Sequence, residues 1–262
     1  MNTLIQPSLF VSHGTIYEAF KSSELKSDFI RFRKEHLLNN PSAIVLFSGH
    51  WQTETISVTT TQEMVQLDEG FPAEFKTNYS TAGNLELSAR IIEMLTKNGI
   101  DAIAETNRGL DHGALIALLL LFPTDKIPVL QISQQYDLDP WYHKKIAEIL
   151  NPLRSENILF IGSGGLVHNR NEIQKFGGHE IEPDSWAKEF DDFITQELAD
   201  TSNAHYADKI IGAYNHKLFA KSHPTSEHFL PLVFASAFGG QPTKIYEAFQ
   251  WKNLSMSAFM FA

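Results

Sequence analysis

The sequence predicts one α/β domain in which helices cover both faces of a central, largely parallel β-sheet. Short apolar runs alternate with longer amphipathic runs along the chain, which is the pattern of strands joined by crossover helices. The chain has 262 residues, enough for one large core, and its 43% hydrophobic and 20% charged residues are typical of globular proteins. We therefore expect a single domain over residues 1–262 with a largely parallel sheet, and a mixed sheet is left open.

The strand candidates are short segments rich in β-branched and aromatic residues, and each is followed by a polar or glycine-rich stretch. Buried strands of a parallel sheet have continuous apolar runs of this kind. The candidates are 8–12, 43–48, 55–60, 101–105, 127–132, 157–162 and 244–249.

The helix candidates have apolar residues at helical spacing. In the segment 84–98, Asn84 is a suitable N-cap and Asn98-Gly99 a stop signal. In the segment 224–238, Pro224 lies early in the helix, and Pro231 marks a kink or the end of a short first turn. The other candidates are 24–38, 112–121, 140–154 and 184–199.

Charge and composition exclude several classes of function. The net charge of −10, without a run of Lys or Arg, argues against nucleic acid and anionic membranes as partners. No apolar run approaches the roughly 18 residues of a membrane span, and the N-terminal segment lacks the features of a secretory signal. We expect a cytoplasmic protein and leave a homo-oligomer open. The absence of cysteine means that any metal is held by nitrogen and oxygen ligands.

Three of the eleven histidines, His13, His50 and His168, follow apolar strand candidates, with glycines close to each. The carboxyl ends of the strands form the ligand-binding crevice of open α/β sheets. Any one of the three could be a half-buried histidine bonded to a carbonyl. All three together favour a metal site for zinc or iron, since neutral imidazole is the commonest metal ligand.

The segment 222–232 places His223, Glu227 and His228 at the start of a predicted helix. His228 can be a ligand with Glu227 as its hydrogen-bond acceptor, or Glu227 can itself be a carboxylate ligand. Two histidines and one carboxylate suit non-haem iron, whereas a third histidine leaves the metal open. For His223, packing and function are equally compatible with the sequence.

His112 follows Asp111, a suitable N-cap, in the first turn of a predicted helix. It can donate a hydrogen bond to an anionic substrate or bound oxygen, or it can simply pack at the helix start. The aromatic residues of the long segment 61–83, among them Phe71, Phe75 and Tyr79, either form a pocket wall or pack in the core. The remaining histidines have polar neighbours and are predicted to lie at the surface: His36, His143, His179, His205 and His216.

Other catalytic motifs are missing. The residues around Ser163 do not form Gly-x-Ser-x-Gly, and the glycines at 162–165 do not form Gly-x-Gly-x-x-Gly. A phosphate-binding loop and His-Glu-x-x-His are also absent. These absences weaken the hydrolase, dinucleotide-binding and metalloprotease interpretations.

Seven motifs occur in order over about residues 8–235, which is most of the chain. They are LFVSHG (9–14), SGHW (48–51), GFP (70–72), RGLDHGA (108–114), IPVLQIS (127–133), GSG (162–164) with VHN (167–169), and HPTSEHFLPL (223–232). Taken together, the ordered set resembles the class III extradiol ring-cleaving dioxygenases, in particular the DOPA 4,5-dioxygenase group of the LigB family.

This resemblance implies one metal ion per chain, held by His13, His50 and His228. It implies that His168 acts as acid and base or joins the metal when substrate is absent, and that His112 contacts substrate or oxygen. The expected ion is Fe(II) for activity, with Zn(II) as the alternative bound species. The expected substrates are O2 and a catechol such as DOPA, whose ring opens beside the diol.

A redox-inert zinc relative with the same fold is the alternative, either a metal-dependent hydrolase or a binding protein of the Memo type. The sequence departs from the group's pattern at Thr15-Ile16, at Leu115 and at Arg170. These positions shape the pocket, so they bear on the choice of substrate.

Overall fold

The computed structural model describes residues 5–16, 20, 24–37, 40–69, 73–137, 139–172 and 182–262. Its strands, in chain order, are β1 (Ser8–Ser12), β2 (Ala43–Thr53), β3 (Ile56–Thr59), β4 (Glu63–Val65), β5 (Ser80–Ala82), β6 (Ala102–Glu105), β7 (Val129–Gln135), β8 (Ile158–Gly164), β9 (Pro242–Tyr246), β10 (Phe249–Gln250), β11 (Leu254–Ser255) and β12 (Ala258–Phe261).

Eight of these strands form one mixed sheet in the order β6-β3-β7-β2-β8-β1-β12-β9. The four central strands, β7, β2, β8 and β1, run parallel to one another. At one side β12 is antiparallel to β1 and to β9, and at the other side β3 is antiparallel to β7 and parallel to β6. Two short pairs, β4-β5 and β10-β11, lie outside this sheet. The predicted α/β class is confirmed, with the mixed form of the sheet.

The helices, in chain order, are α1 (Glu24–His36), α2 (Leu85–Lys97), α3 (His112–Leu121), α4 (Pro140–Leu150), α5 (Ser185–Ala199), α6 (Tyr206–Gly212), α7 (Phe219–Ser222) and α8 (Leu230–Ala237). Three short 3-10 helices span Ala73–Phe75, Asn151–Glu156 and Ala213–Asn215. The predicted helix 140–154 thus ends as an α-helix at Leu150 and continues as a 3-10 helix. Helices α6 and α7 were not predicted.

Helices cover both faces of the sheet because alternate residues of the central strands point to opposite sides. Ile44 and Leu46 of β2 pack in a cluster with α1 and α3. Val45 and Phe47 pack on the other face in a cluster with α2, α4 and α8. A third cluster joins Phe10 of β1 to α5, α6 and α8. Within the described ranges, no helix has both the length and the apolar character needed to cross a bilayer.

Two predicted helix starts have the expected caps. The Asn84 side chain accepts a hydrogen bond from the Leu87 N–H (3.0 Å), and Asp111 accepts one from the Ala114 N–H (3.0 Å). Each cap satisfies a donor in the first turn that has no partner within the helix. The second cap fixes the orientation of α3, whose first residue is His112.

The helix predicted at 224–238 begins only at Leu230, so the first six residues of that prediction are wrong. Residues 223–229 form turns, and their carbonyl groups bond outside the helix. The Gln134 side chain donates to the Glu227 carbonyl (2.7 Å), and the Gly165 N–H donates to the His228 carbonyl (2.9 Å). Pro231 lies in the first turn of α8, where its missing N–H has no cost, and not at a kink.

His143 was predicted at the surface but is fully buried in α4. Its Nε2 accepts the Gln135 N–H (3.0 Å), and its Nδ1 donates to the Asp139 carbonyl (2.6 Å). Burial is the main cause that lowers the pKa of His143 to about 4. The side chain is a structural link between α4 and the end of β7, a role that its polar neighbours in sequence conceal. His36 and His205 are exposed as predicted, His216 is half-buried, and His179 lies outside the described residues.

Candidate metal centre

Three imidazoles point their Nε2 atoms at one another at the carboxyl end of the central strands. The Nε2 of His50 lies 3.1 Å from the Nε2 of His13 and 3.3 Å from the Nε2 of His228. His13 and His228 are buried, with 2% and 6% of their surface exposed, whereas His50 faces the adjoining cavity. The strand pattern grouped His13 and His50 with His168, whereas the family resemblance implied this set with His228, and the fold brings the Nε2 atoms of this set together.

His13 and His228 are delivered by different parts of the backbone. His13 directly follows β1, and its N–H donates to the Gly164 carbonyl of β8 (3.0 Å). His228 lies in the turn before α8, which packs closely on β8. A Cβ at Gly164 would lie 2.2 Å from the His228 carbonyl oxygen, so only glycine permits this approach.

His50 is presented by an irregular stretch inside β2, and not by the end of the strand as the sequence suggested. Phe47 pairs with Ile132 of β7 and Gln52 pairs with Gln134, so that residues 48–51 of β2 lie opposite residue 133 alone. Extra residues of this kind bend a strand outward and redirect its side chains, often beside active sites. The strand then continues to Thr53.

The second ring nitrogens of His13 and His228 each have a partner that fixes the tautomer. The Ser163 hydroxyl donates to the Gly113 carbonyl (2.8 Å), so Ser163 must accept the bond from His13 Nδ1 (3.0 Å). The Glu227 carboxylate accepts from His228 Nδ1 (2.9 Å) and from the Thr225 hydroxyl (3.0 Å). Both imidazoles therefore carry their proton on Nδ1 and direct the Nε2 lone pair to the centre.

A metal ion fits this arrangement. His50 Nε2 can donate a proton to only one of the two lone pairs that it faces. Hydrogen bonding among the three rings therefore leaves the other lone pair without a donor. An ion about 2.1 Å from each nitrogen separates its ligand atoms by about 3.0 Å at a right angle and about 3.4 Å at a tetrahedral angle, and the observed 3.1 and 3.3 Å fall within these limits. Glu227 is engaged by His228 in the manner of an outer hydrogen-bond partner.

The His168 ring is stacked on the His228 ring, with centroids 3.7 Å apart and planes inclined by 9°. His168, Glu227 and His228 each offer a ligand atom within 4.8 Å of the other two, so His168 lies close enough to His228 to join the metal ligands or to act beside them. The backbone of His168 is fixed by its N–H, which donates to the Ser222 carbonyl (3.0 Å).

His112 lies on the opposite side of the centre, with its ring centroid 5.0 Å from that of His50 and 5.5 Å from that of His13. Its backbone N–H donates to the Glu69 carboxylate (2.9 Å). His13, His50 and His112 also have ring nitrogens within 4.8 Å of one another. The His112 ring thus borders the cavity beside the three converging imidazoles.

The buried Asp111 carboxylate holds the irregular stretch of β2 in place. It accepts from the Ser48 hydroxyl (2.7 Å) and from Arg108 (3.1 Å), whose guanidinium also donates to the His50 carbonyl (3.3 Å) and covers the Trp51 ring. Paired and fully hydrogen-bonded, this charge is stable in the interior. The network links the start of α3 to the backbone that carries His50.

The environment keeps the imidazoles neutral, which is the form that binds metals. Burial, followed by the charges of neighbouring imidazoles, lowers the pKa of His13 and of His228 well below the ordinary value. Burial also lowers the pKa of His50, and the Asp111 carboxylate opposes part of that shift. For His112 and His168, burial lowers the pKa to about 4, with neighbouring imidazoles as the next cause.

A cavity of about 440 Å³ opens onto the centre. One side is apolar and is formed in part by the β10-β11 hairpin, where Trp251 (φ 47°) and Lys252 (φ 67°) have left-handed backbone that non-glycine residues seldom adopt. The hairpin is tied to the metal-binding segment by the Thr15 N–H, which donates to Gln250 (3.3 Å). The lining residues are His13, Gly14, Thr15, Ile16, His50, Glu69, His112, His168, Arg170, Trp251 and Leu254.

Some residues considered from the sequence lie away from this cavity. His223 is buried, its Nε2 bonds the Leu166 carbonyl (2.9 Å), and burial lowers its pKa to about 4. Phe75 and Tyr79 belong to the hydrophobic core. Phe71 and the motif at 70–72 lie outside the described residues. The sequence missed the lining residues Glu69, Trp251 and Leu254. Glu69 lies just before the motif at 70–72 but outside it, and Trp251 and Leu254 have no motif around them.

Comparison with known proteins identifies relatives over nearly the whole length. The family model described as the catalytic LigB subunit of aromatic ring-opening dioxygenase matches residues 8–262. A protein of Beta vulgaris named 4,5-DOPA dioxygenase extradiol is 34% identical over 245 residues, which cover 92% of this chain and 89% of that protein. Proteins of the same name from Portulaca grandiflora and Escherichia coli K12 are 31% and 28% identical, covering 97% and 98% of this chain and 95% and 94% of their own length.

The fold is also shared with a solved structure. The crystal structure of an uncharacterized protein from Escherichia coli K12 superposes with a TM-score of 0.80 at 25% sequence identity. The match covers 98% of this chain and 100% of the other.

Proposed function

Because the chain belongs to the family of catalytic LigB subunits of aromatic ring-opening dioxygenases, we propose that it cleaves a catechol with O2 at a mononuclear non-haem metal centre. The enzyme class, extradiol dioxygenase, follows from that membership and from the relatives. We further propose that residues 1–262 act as one catalytic domain, since the converging histidines come from strands and turns spread along most of the chain.

The observation that carries the proposal is the convergence of three imidazole Nε2 atoms. Ser163 and Glu227 hold the Nδ1 protons of His13 and His228, so both rings are oriented for a cation before one arrives. His50 completes the set at 3.1 and 3.3 Å. These contacts support His13, His50 and His228 as the ligands, with Glu227 supporting His228 rather than binding the ion.

Iron is the ion that suits the reaction. Divalent iron, when bound, supplies the redox chemistry that couples a catechol to O2, which redox-inert zinc cannot supply. The nitrogen donors suit either ion. We therefore propose one Fe(II) per chain in the active enzyme, with Zn(II) as a bound but inactive substitute.

His168 and His112 are proposed to serve the substrate. His168 lies stacked on His228, and its position at the cavity allows contact with a catechol hydroxyl. Burial lowers the pKa of His168 and keeps the ring neutral in the free protein, so a ring nitrogen can accept that proton and later return it. His112, held at the start of α3, can donate a hydrogen bond across the cavity to substrate or oxygen.

The proposed substrate is a single-ring catechol such as DOPA. A cavity of about 440 Å³ is within the usual range for small-molecule sites and has one apolar side for the ring. Several relatives are named for the extradiol cleavage of 4,5-DOPA, which supports this choice. Opening the ring beside the diol incorporates both oxygen atoms of O2 and yields a semialdehyde of muconic acid.

The test is anaerobic loading with Fe(II), removal of free metal, and addition of L-DOPA in oxygenated buffer. We expect one O2 consumed for each catechol and the appearance of a yellow ring-opened product. Protein loaded with Zn(II) is the matched control and should bind the catechol without consuming oxygen. If verified Fe(II)-loaded protein consumes no oxygen with L-DOPA or with simpler catechols, the proposal is wrong.

A further inference from the structure

Arg170 brings a positive charge to the edge of the cavity. It lies two residues after His168 in a turn that is anchored by the buried Asn169, whose side chain donates to the Lys221 carbonyl (2.7 Å) and accepts from the Asn171 N–H (3.0 Å). The Arg170 side chain is exposed and lines the cavity. Its backbone is thus fixed while its guanidinium remains accessible to a ligand.

The two arginines near the centre differ in their partners. The guanidinium of Arg108 is already engaged by other residues, since it pairs with Asp111 (3.1 Å) and covers the Trp51 ring. Arg170 forms no ion pair or hydrogen bond with another residue in the described part of the chain. In a protein with a net charge of −10, a guanidinium at this position is available to bind an anion.

The charge of Arg170 acts on the whole cavity. It lowers the pKa of His50, His112 and His168, although other causes have larger effects on each. Arg170 and these three imidazoles line the same cavity. Glu69, also in the lining, has its carboxylate engaged by the His112 N–H (2.9 Å), and it disfavours a second anionic group.

We propose that Arg170 selects catechols that carry a single carboxylate on the ring substituent, by pairing its guanidinium with that carboxylate while the diol faces the three histidines. The inference rests on the proposed function, because it presumes a catechol in this site. A planar guanidinium matches the two oxygens of a carboxylate. One cation in a cavity that also contains the Glu69 carboxylate suits a monoanion better than a phosphate. Ile16, Trp251 and Leu254 supply the apolar surface for the ring between these ends.

The test compares two ligands that differ only in the carboxylate, 3-(3,4-dihydroxyphenyl)propanoate and 4-ethylcatechol. In Arg170→Met we expect Kd and KM for the propanoate to rise about tenfold or more, as for the loss of a charge-assisted hydrogen bond. The Kd and KM for 4-ethylcatechol, which has no carboxylate, should change less than about twofold on the same scale, so that the loss of affinity is confined to the propanoate. Arg170→Lys should recover part of the affinity, since it keeps the charge but loses the paired donors.

Two measurements distinguish an effect of Arg170 on ligand binding from an effect on the reaction. Calorimetric titration of the Zn(II)-loaded protein without oxygen gives Kd independently of turnover, and steady-state oxygen uptake by the Fe(II)-loaded protein gives KM and kcat. Arg31→Met is the control, because it removes an exposed arginine whose partner is Asp28 on α1.

An equal loss of affinity for both ligands in Arg170→Met would show that Arg170 acts on the diol and would overturn the inference. So would unchanged binding of the propanoate. If wild-type protein binds and oxidises neither ligand, the proposed function itself fails. If both are oxidised without preference, only the role of Arg170 fails.

Discussion

The two walls of the metal centre are built in contrasting ways. The inner wall, His13 and His228 with Ser163 and Glu227, is buried, and each imidazole has a partner for its second nitrogen. The outer wall, His168 and Arg170 with Trp251, borders the cavity. His168 is held by stacking on His228, Arg170 is exposed, and Trp251 is half-buried.

This difference indicates that one wall is built to bind the ion and the other to contact the substrate. Rigid, fully hydrogen-bonded ligands favour the binding of one ion in one geometry. Accessible residues on turns can meet substrates of different shape, and turns tolerate substitution better than a sheet core does. Of the departures from the family pattern noted in the sequence, Thr15, Ile16 and Arg170 line the cavity. Leu115 was expected to shape the pocket but packs in the hydrophobic core. The converging histidines match the pattern.

The largest effect is expected from the inner wall. His13→Ala should abolish stoichiometric metal binding and with it oxygen uptake. Affinity should fall by more than about a hundredfold, since even loss of a ligand's hydrogen-bond partner costs about 10- to 100-fold. Metal content after dialysis, measured by atomic emission, checks this. His205→Ala removes an exposed histidine and serves as the control; retention of a full equivalent of metal by His13→Ala would disprove the ligand assignment.

A smaller but more selective effect is expected from the outer wall. His168→Ala should keep its metal and lose about 10²- to 10⁴-fold in kcat, the usual contribution of general acid–base catalysis. Metal content and turnover are measured on the same preparation. Loss of the metal together with the activity would reassign His168 as a ligand and contradict its proposed role as acid and base.

The smallest effect is expected from Ser163. Ser163→Ala leaves His13 in place but removes the acceptor of its Nδ1 proton, so metal affinity should fall by about 10- to 100-fold without loss of the fold. Competition with a chelator of known affinity gives the metal affinity, and circular dichroism shows whether the fold is retained. Ser155→Ala, at an exposed serine of a 3-10 helix, is the matched control. Unchanged affinity would mean that Ser163 does not orient His13.

The sequence predicted the parts of the site that depend on local rules. Apolar runs followed by a histidine identified His13, His50 and His168, because the carboxyl ends of parallel strands meet at one edge of a sheet. Ser163 was not recognised, since its contact with His13 spans 150 residues of sequence. Trp251 was missed for a similar reason, because only the folded hairpin brings it to the cavity.

The errors in the fold also have physical causes. The end of β2 was placed too early because Ser48-Gly49 has the composition of a turn, whereas the chain forms an irregular strand there. The helix at 224–238 was too long because bonds to Gln134 and Gly165 compete for the carbonyls of its first residues. Strand β12 has only four residues, too few for a clear periodicity.

The pairing of β1 with β12 has a consequence for how the enzyme matures. The strand that precedes His13 is enclosed between β8 and β12, and Ser8 pairs with Phe261 across nearly the whole sequence. Contacts of such long range form late and slowly, since the intervening chain must first be ordered. During synthesis β1 therefore has an open edge until residues 258–261 emerge, and metal loading should follow the pairing of β12 with β1 rather than precede it.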